Sequence, residues 1–494
     1  MWQTARFKRQ YTSLAVAFLL LFLPPRVFAE ESKLTVAIAQ GPVTLDSRLA
    51  TDAASVRLLQ LLAPSLMRLD ASFTPQPQLA ETVTHQNYQT FTVKLKESSF
   101  QDGSPVTAQT VKDFYLSILD DKLASPKKGE LKDLDRIEVK SPTEIVFHLH
   151  KSSPWFLSAF EIPLLKITEE MHKFPVGAGK FTVVAHDDYG NIDLRHNNGK
   201  ILSFTVVKEP MVRLLKLMRG DIDIMHNDFP EELFGYGKSK GLSGVSQPSA
   251  SYTYLGFNLE STATAHVKVR QALSYAFDRE TIANSLLGGR ITPADSLLLP
   301  GHPAYYQAAL QVYDPQKAAA LLDEAGFKAD ENGHRFKLTL SITTNPFVLR
   351  LAQILQQDLK KIGIDLEISS SEWGTFYSNI KKGNFQTYIL SWVGVFQPNI
   401  FESLFHSKNK PPQGANRGRL HHAEMDKTLD NLMQEVNDDQ RNLLAQKVQQ
   451  IQEEQVVYLP LWRRNHVALV RAGLHYTIPA DGGYEGLTKL LTIE

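Results

Sequence analysis

The sequence predicts an α/β protein, on three observations. Short alternating strands and amphipathic helices interleave along the whole chain, which argues for α/β layers rather than a helical bundle or a β-sandwich. Individual elements are sharply punctuated by turn and cap residues. The block from Ala352 to Pro398 reads as helix, turn at Gly363, strand, helix and a strand ending on Trp392. At 494 residues the chain can bury a large core, enough for two to four structural units.

The elements follow in order. Lys33 to Ala39 (KLTVAIA) alternates as a strand does, and Gly41-Pro42 breaks it. Asp52 is placed to N-cap a helix running to Leu62, with Pro64 beyond its end. In Gln89 to Lys96, Phe91, Val93 and Leu95 share one face, the pattern of a half-buried strand. A turn over Phe100–Pro105 leads to a helix whose apolar face holds Val111, Phe114, Tyr115 and Ile118. Glu144 to His150 is another alternating strand. Ser203 to Lys208 forms a strand, Met211 to Met218 a helix closed by Gly220, and Ile222 to Met225 a buried stretch. Thr253 to Leu259 is expected as a strand at a crossing between lobes. Val267 to Leu287 reads as a long helix or a helix pair ended by Gly288-Gly289. Asp314 and Gly326 bracket the helix Pro315 to Ala325, and Leu429 to Tyr458 is largely helical until Pro460. No internal repeat or low-complexity tract interrupts the pattern.

The first 29 residues carry a separate signal. Arg6, Lys8 and Arg9 precede an uncharged run from Tyr11 to Leu23, and Val27-Phe28-Ala29 offers small residues before Glu30. That is the pattern of a secretory signal peptide over residues 1–29, and the run is shorter than a spanning helix needs. The chain has no cysteine, so it needs no disulfide and cannot take the lipid of a bacterial lipoprotein. The expected location is the periplasm, in soluble form. Charge balances at 53 basic and 53 acidic residues; without the four basic residues of the leader, 49 stand against 53, near −4. Nothing in that balance suggests a nucleic-acid partner.

Catalytic signatures are missing. Pro175–Lys180 has a Gly-Lys pair, but Phe174 and Phe181 occupy the positions where a phosphate loop needs Gly and Ser or Thr. No G-x-S-x-G elbow occurs, and thiol catalysis is excluded. His148 and His150 share a strand face, yet no third ligand lies nearby in sequence, and His421-His422-Ala423-Glu424 is not a zinc motif. No metal and no cofactor is expected. Aromatic residues are the more informative group: Trp373, Tyr377, Phe385, Tyr388, Trp392 and Phe396 crowd one segment, and Tyr252 and Tyr254 flank the expected crossing. Most should be core, with about a third facing a cleft. Trp392 is the first choice for a cleft, because Gly394 then lets the backbone approach a ligand.

Several fragments in a fixed order resemble one family. Phe100 to Ala108 (FQDGSPVTA) is similar to its F-x-D-G-x-P-V-T-A turn, and Val269 to Arg279 (VRQALSYAFDR) to its V-R-Q-A-L-x-Y-A-I-D-R helix. Tyr313-Asp314-Pro315 through Ala325-Gly326-Phe327, Leu217 to Asp223, Pro175 to Phe181 and Leu45-Asp46 resemble further family segments. The chain therefore resembles a family 5 extracellular solute-binding protein of the dipeptide- and oligopeptide-binding type, over nearly all of residues 33 to 475. The resemblance implies a two-lobed periplasmic binding protein fold (type II, large peptide-binding class). Lobe I would span 30–258, with an extra subdomain at about 46–175. Lobe II would span 259–467, and 468–494 would return to lobe I. It also implies a non-enzymatic monomer that closes on a peptide or other small ligand and passes it to the permease subunits of an ABC importer in the inner membrane.

Ligand contacts carry over unevenly. The family's peptide binders place an Asp three residues after the Trp; Ser391-Trp392-Val393-Gly394-Val395 has Val395 there. Dipeptide-binding members also carry an Arg in an R-P-Y stretch, where this chain has Thr343-Thr344-Asn345-Pro346-Phe347. A buried ammonium or carboxylate without a partner is costly, which argues against a dipeptide anchored at both ends. The expected contacts are Trp392, Tyr252, Tyr254 and Arg417, with Gly41 to Val43 offering backbone bonds and Gly394 close approach. A non-peptide ligand such as a metal chelate, an opine or a sugar is the same-fold alternative, and a secreted hydrolase a more distant one.

Overall fold

The structure, a computed structural model, describes residues 33–70, 72–288 and 291–492. The expected leader, residues 1–29, lies outside the described residues. Two large sheets organise the rest. One has seven strands, in the order Ser243–Gln247, His466–Val470, Ile224–His226, Lys33–Ile38, Ile201–Val206, Ile192–His196 and Phe181–His186. The other has six, in the order Ile291–Pro293, Tyr458–Arg464, Tyr252–Phe257, Thr387–Trp392, Phe336–Thr343 and Ile364–Ser371. Both are mixed: Lys33–Ile38 runs parallel to both of its neighbours, and Phe336–Thr343 likewise. The result is the two-lobed α/β architecture.

Each sheet is buried on both faces. In the first, Val36 and Ile38 pack into one apolar cluster with Phe204 and Leu487, while Ala37 packs into another with Met225 and Leu469. In the second, Tyr252 and Tyr254 point to one side and Leu255 and Phe257 to the other. This alternation is the period-2 geometry of a strand, and each fully buried aromatic or aliphatic side chain stabilises the lobe by about 1.5–3 kcal/mol.

A third unit lies between the first strands of the seven-stranded sheet. The antiparallel sheet Ala80–Gln86, Thr90–Leu95, Glu144–Leu149 and Leu134–Ser141 packs beneath the helix Ala108–Leu119. Phe91, Phe114, Tyr115, Phe147 and Phe160 fill its core, with Phe147 and Phe160 edge-on at 4.9 Å. The helix begins with a capping box in which Thr107 and Thr110 satisfy each other's backbone amides.

Local punctuation explains most element ends. Asp52 accepts from the Ser55 amide at the start of Ala53–Leu62, and Asp314 from the Lys317 amide at the start of Pro315–Glu324. Gly220, at φ 81°, ends Pro210–Arg219. The Val267–Leu287 stretch is a helix pair, Val267–Ala276 and Arg279–Leu287, because the Asp278 side chain caps a second start. The stretch expected to be helical up to Tyr458 likewise divides into Ala423–Gln434 and Asp438–Gln455, with Asn437 capping the second.

The chain passes between the two large sheets at residues 248–251 and again at Asn465. The two passages are stitched together: Ser251 Oγ donates to the Arg464 carbonyl at 3.2 Å, and Ser249 Oγ donates to the same oxygen. Tyr252–Phe257 therefore pairs within the second sheet, ahead of the division expected after residue 258, and His466–Val470 pairs within the first sheet, ahead of the return expected at 468. Alternation alone marks Tyr252–Phe257 as a strand but does not say which sheet holds it.

Candidate functional site

In open α/β sheets, ligands bind beyond the carboxyl ends of the parallel strands. Here Thr343 and Ser391, at the ends of two parallel strands of the second sheet, and Asp228, just past the strand Ile224–His226 of the first, line one cavity, from which the segment Ser391–Phe396 carries the chain out of the strand Thr387–Trp392. Trp392 is its last paired residue, opposite Tyr252, and Val393 is exposed. Gly394 turns the segment at φ 71°, a conformation that favours glycine. The Val395 amide then donates to the Ala250 carbonyl at 3.2 Å, and Phe396 stacks on Phe73 with ring centroids 5.3 Å apart. Gln397 Nε2 donates to the Phe73 carbonyl at 2.7 Å. The segment thus leaves the second lobe and docks on the first.

A cavity lies at each end of it. The one at Ser391 has a volume of about 650 Å³ and is lined by both lobes, including Asp228, Pro230, Phe347, Trp373 and Arg464. Arg464 sits 5.9 Å from the Phe347 ring centroid, and Arg350 reaches across the lobes to Glu232 at 3.8 Å. The other, about 420 Å³, opens at Phe396 and is walled mainly by the first lobe: Arg68, Asp70, Phe73, Glu161, Asp481 and Glu485. Arg68 is paired there with Asp481 at 3.2 Å and Glu485 at 2.7 Å. Burial, reinforced by Glu130 and opposed by Lys127, pushes the Glu161 carboxyl up to about 8.

The expected contact residues divide into three groups. Trp392, expected at the cleft, lines neither cavity: its ring packs against the second-lobe core, and the Arg417 guanidinium lies 4.2 Å from its centroid and 5.5 Å from that of Tyr377. Arg417 is itself buried and donates to the hydroxyls of Tyr254 at 3.4 Å and Tyr377 at 3.2 Å. It is a buried cation held among the rings of Trp392 and Tyr377 and the hydroxyls of Tyr254 and Tyr377. Tyr252 and Tyr254 are fully buried, so the expectation that they contact ligand is corrected; they are core of the second lobe. The reason is register: paired with Trp392 and Leu390, they share with those two residues the face that packs into the second-lobe core.

The Gly41 to Val43 loop is engaged within the first lobe. A Cβ on Gly41 would stand 2.5 Å from the Gly190 carbonyl oxygen, so Gly41 serves close packing of two turns. The Val43 amide donates to Ser55 Oγ at 2.9 Å, so that bond is already made within the lobe. Val395 is buried and apolar where an acid was looked for. His148 and His150 sit away from the cleft, on the small sheet, 3.2 Å from Glu138 and 3.6 Å from Asp135. Glu161 was missed. Its signal was a lone acid in the otherwise uncharged run Trp155–Leu165, a position where a carboxylate needs a reason.

The profile of the bacterial extracellular solute-binding proteins, family 5 (middle region), matches residues 74–412. The chain belongs to this family. Among its relatives, the nickel-binding periplasmic protein of Escherichia coli (strain K12) is 25% identical over 434 residues, covering 80% of this chain and 82% of that protein. The oligopeptide-binding protein AppA of Bacillus subtilis (strain 168) is 25% identical over 475 residues, covering 88% and 87%. The crystal structure of NikA from Brucella suis in complex with Fe(III)-EDTA superposes with a TM-score of 0.82 at 22% identity, covering 92% of this chain and 98% of that one. As a family 5 protein the chain shares their two-lobed fold, as its motifs imply, and members of the family are extracellular solute-binding proteins.

Proposed function

We propose that this chain is a periplasmic, non-enzymatic binding protein that captures a peptide between its lobes and delivers it to an ABC importer. The lobes would meet at residues 248–251 and at Asn465, with residues from about 46 to 175 forming the extra subdomain. The observation that carries the reading is the segment Ser391–Phe396, which runs out of sheet pairing and passes between two cavities. An unpaired strand end can hold a peptide through its backbone, as an added strand does, without a charged anchor at residue 395. Relatives named as oligopeptide- and dipeptide-binding proteins support it.

A chelated metal is the second reading, suggested by the nickel-binding relative and the Fe(III)-EDTA complex of the structural neighbour. Among the described residues no group of three or more His, Asp or Glu side chains could hold a bare ion, so the chelator would have to carry the contacts. Mass spectrometry of ligand released from the denatured, natively purified chain, with thermal shift on peptide pools, separates the two. Peptides that neither co-purify nor raise the melting temperature would sink the first reading.

A further inference from the structure

The cavity at Phe396 has a chemical character that general solute capture does not explain. Four carboxylates and one guanidinium line it. Three of the acids are committed: Asp481 and Glu485 to Arg68, and Asp70 to the amides of Ser72 and Thr74 and the side chains of Ser72 and Gln76. Glu161 has no hydrogen-bond or ion-pair partner among the described residues. It stands at the C-terminal end of the short helix Pro154–Glu161, where the carbonyl ends disfavour an anion. Phe73 and Phe396, stacked on one another, supply aromatic surface to the same cavity. A carboxyl without a partner and aromatic surface in one cavity are the two features that recognise an ammonium, one by charge and the other by its ring quadrupole.

We infer that this cavity is an ammonium subsite, in which Glu161 takes a protonated amine of the captured solute. The inference rests on the solute-binding reading above. It supplies the partner for a cationic group that Val395 does not. The association is non-covalent, and Glu161 releases its proton to solvent as the amine enters. Two charged neighbours act on the carboxyl: Glu130 favours a cation there and Lys127 opposes it. An amine that binds the ionised form therefore gains affinity as pH rises, by up to about tenfold per unit below the carboxyl's own titration.

The amine can come from a peptide's amino terminus or from a free polyamine, and three probes distinguish them. These are a random tetrapeptide pool with free amino termini, the same pool N-acetylated, and 1,5-diaminopentane, each tested by thermal shift and titration calorimetry on the full chain. The free pool is expected to bind. Acetylation and Glu161→Gln should each weaken binding about 10–100-fold, non-additively, because they remove two halves of one contact. Glu161→Asp should fall between, and the gain in affinity from pH 6 to pH 8 should vanish in Glu161→Gln. Glu161-dependent binding of the diamine, with no binding of either pool, would support the subsite while overturning the peptide reading. Equal binding of both pools, unaffected by Glu161→Gln, would overturn the subsite and leave the peptide reading standing. Wild-type protein that binds neither free amine would also overturn the subsite. Circular dichroism and melting of each variant confirm folding; Glu161 has no partner whose loss would unfold the chain.

Discussion

The cavity at Ser391 is walled by strand and helix ends of both lobes, whereas the cavity at Phe396 is walled by the first lobe and closed by one residue of the second. The first holds Arg350 and Arg464 against Asp228 and Glu232, two cations against two acids. The second holds four acids against one cation. A solute lying along Ser391–Phe396 would therefore meet different chemistry at each end, and a zwitterion would have a preferred direction. The difference arises because the Ser391 cavity follows from sheet topology, while the Phe396 cavity exists only because a loop of one lobe docks on a hairpin of the other.

Four substitutions break or sharpen this contrast. Trp392→Ala removes the ring that Arg417 lies on and leaves a buried guanidinium short of a partner; unfolding in denaturant should show a loss of about 3 kcal/mol, and solute binding should fail at both ends. Arg464→Ala acts at one end alone. It should weaken carboxylate-bearing solutes about tenfold by calorimetry and leave the response to amine acetylation unchanged.

Tyr88→Phe tests a contact outside both cavities. Tyr88 Oη donates to Asp438 Oδ1 at 2.5 Å, and Arg441 lies 5.2 Å from the Tyr88 ring and 5.4 Å from that of Trp155, tying the small sheet to the second lobe. A double-mutant cycle with Asp438→Asn should give about 1 kcal/mol of coupling, with solute specificity unaltered.

The remaining effect is on stability against pH. The folded chain keeps Glu161 protonated up to about 8, while the unfolded chain releases that proton near the usual glutamate value. Between the two, the folded state binds a proton that the unfolded state does not, so stability falls as pH rises through that window. Glu161→Gln should therefore raise the melting temperature by a few degrees at pH 8.5 and leave it unchanged at pH 4.

Much of the scaffold was legible in order along the chain. Asp52, Asp314 and Gly220 act at the helix ends where their chemistry placed them, because capping involves only neighbouring residues. The family followed from fragments of that kind. The candidate site was less legible. Trp392, Tyr252 and Tyr254, all read as facing a ligand, pack on one face into the second-lobe core, and Arg417 lies against the Trp392 ring. Aromatic residues near a crossing look alike in sequence whichever face they occupy.

By itself the sequence determined the strands, the helix ends, the family and the absence of an acid at residue 395. These depend on residues within a few positions of each other or on a motif in fixed order. Only the tertiary structure decided that Tyr252–Phe257 belongs to the second sheet, that Arg417 is shielded by Trp392 and Tyr377, and that Glu161 and Phe396 line one cavity although 235 positions separate them. Burial and charge environment are set by what the chain brings together from far apart, and local pattern carries no record of that.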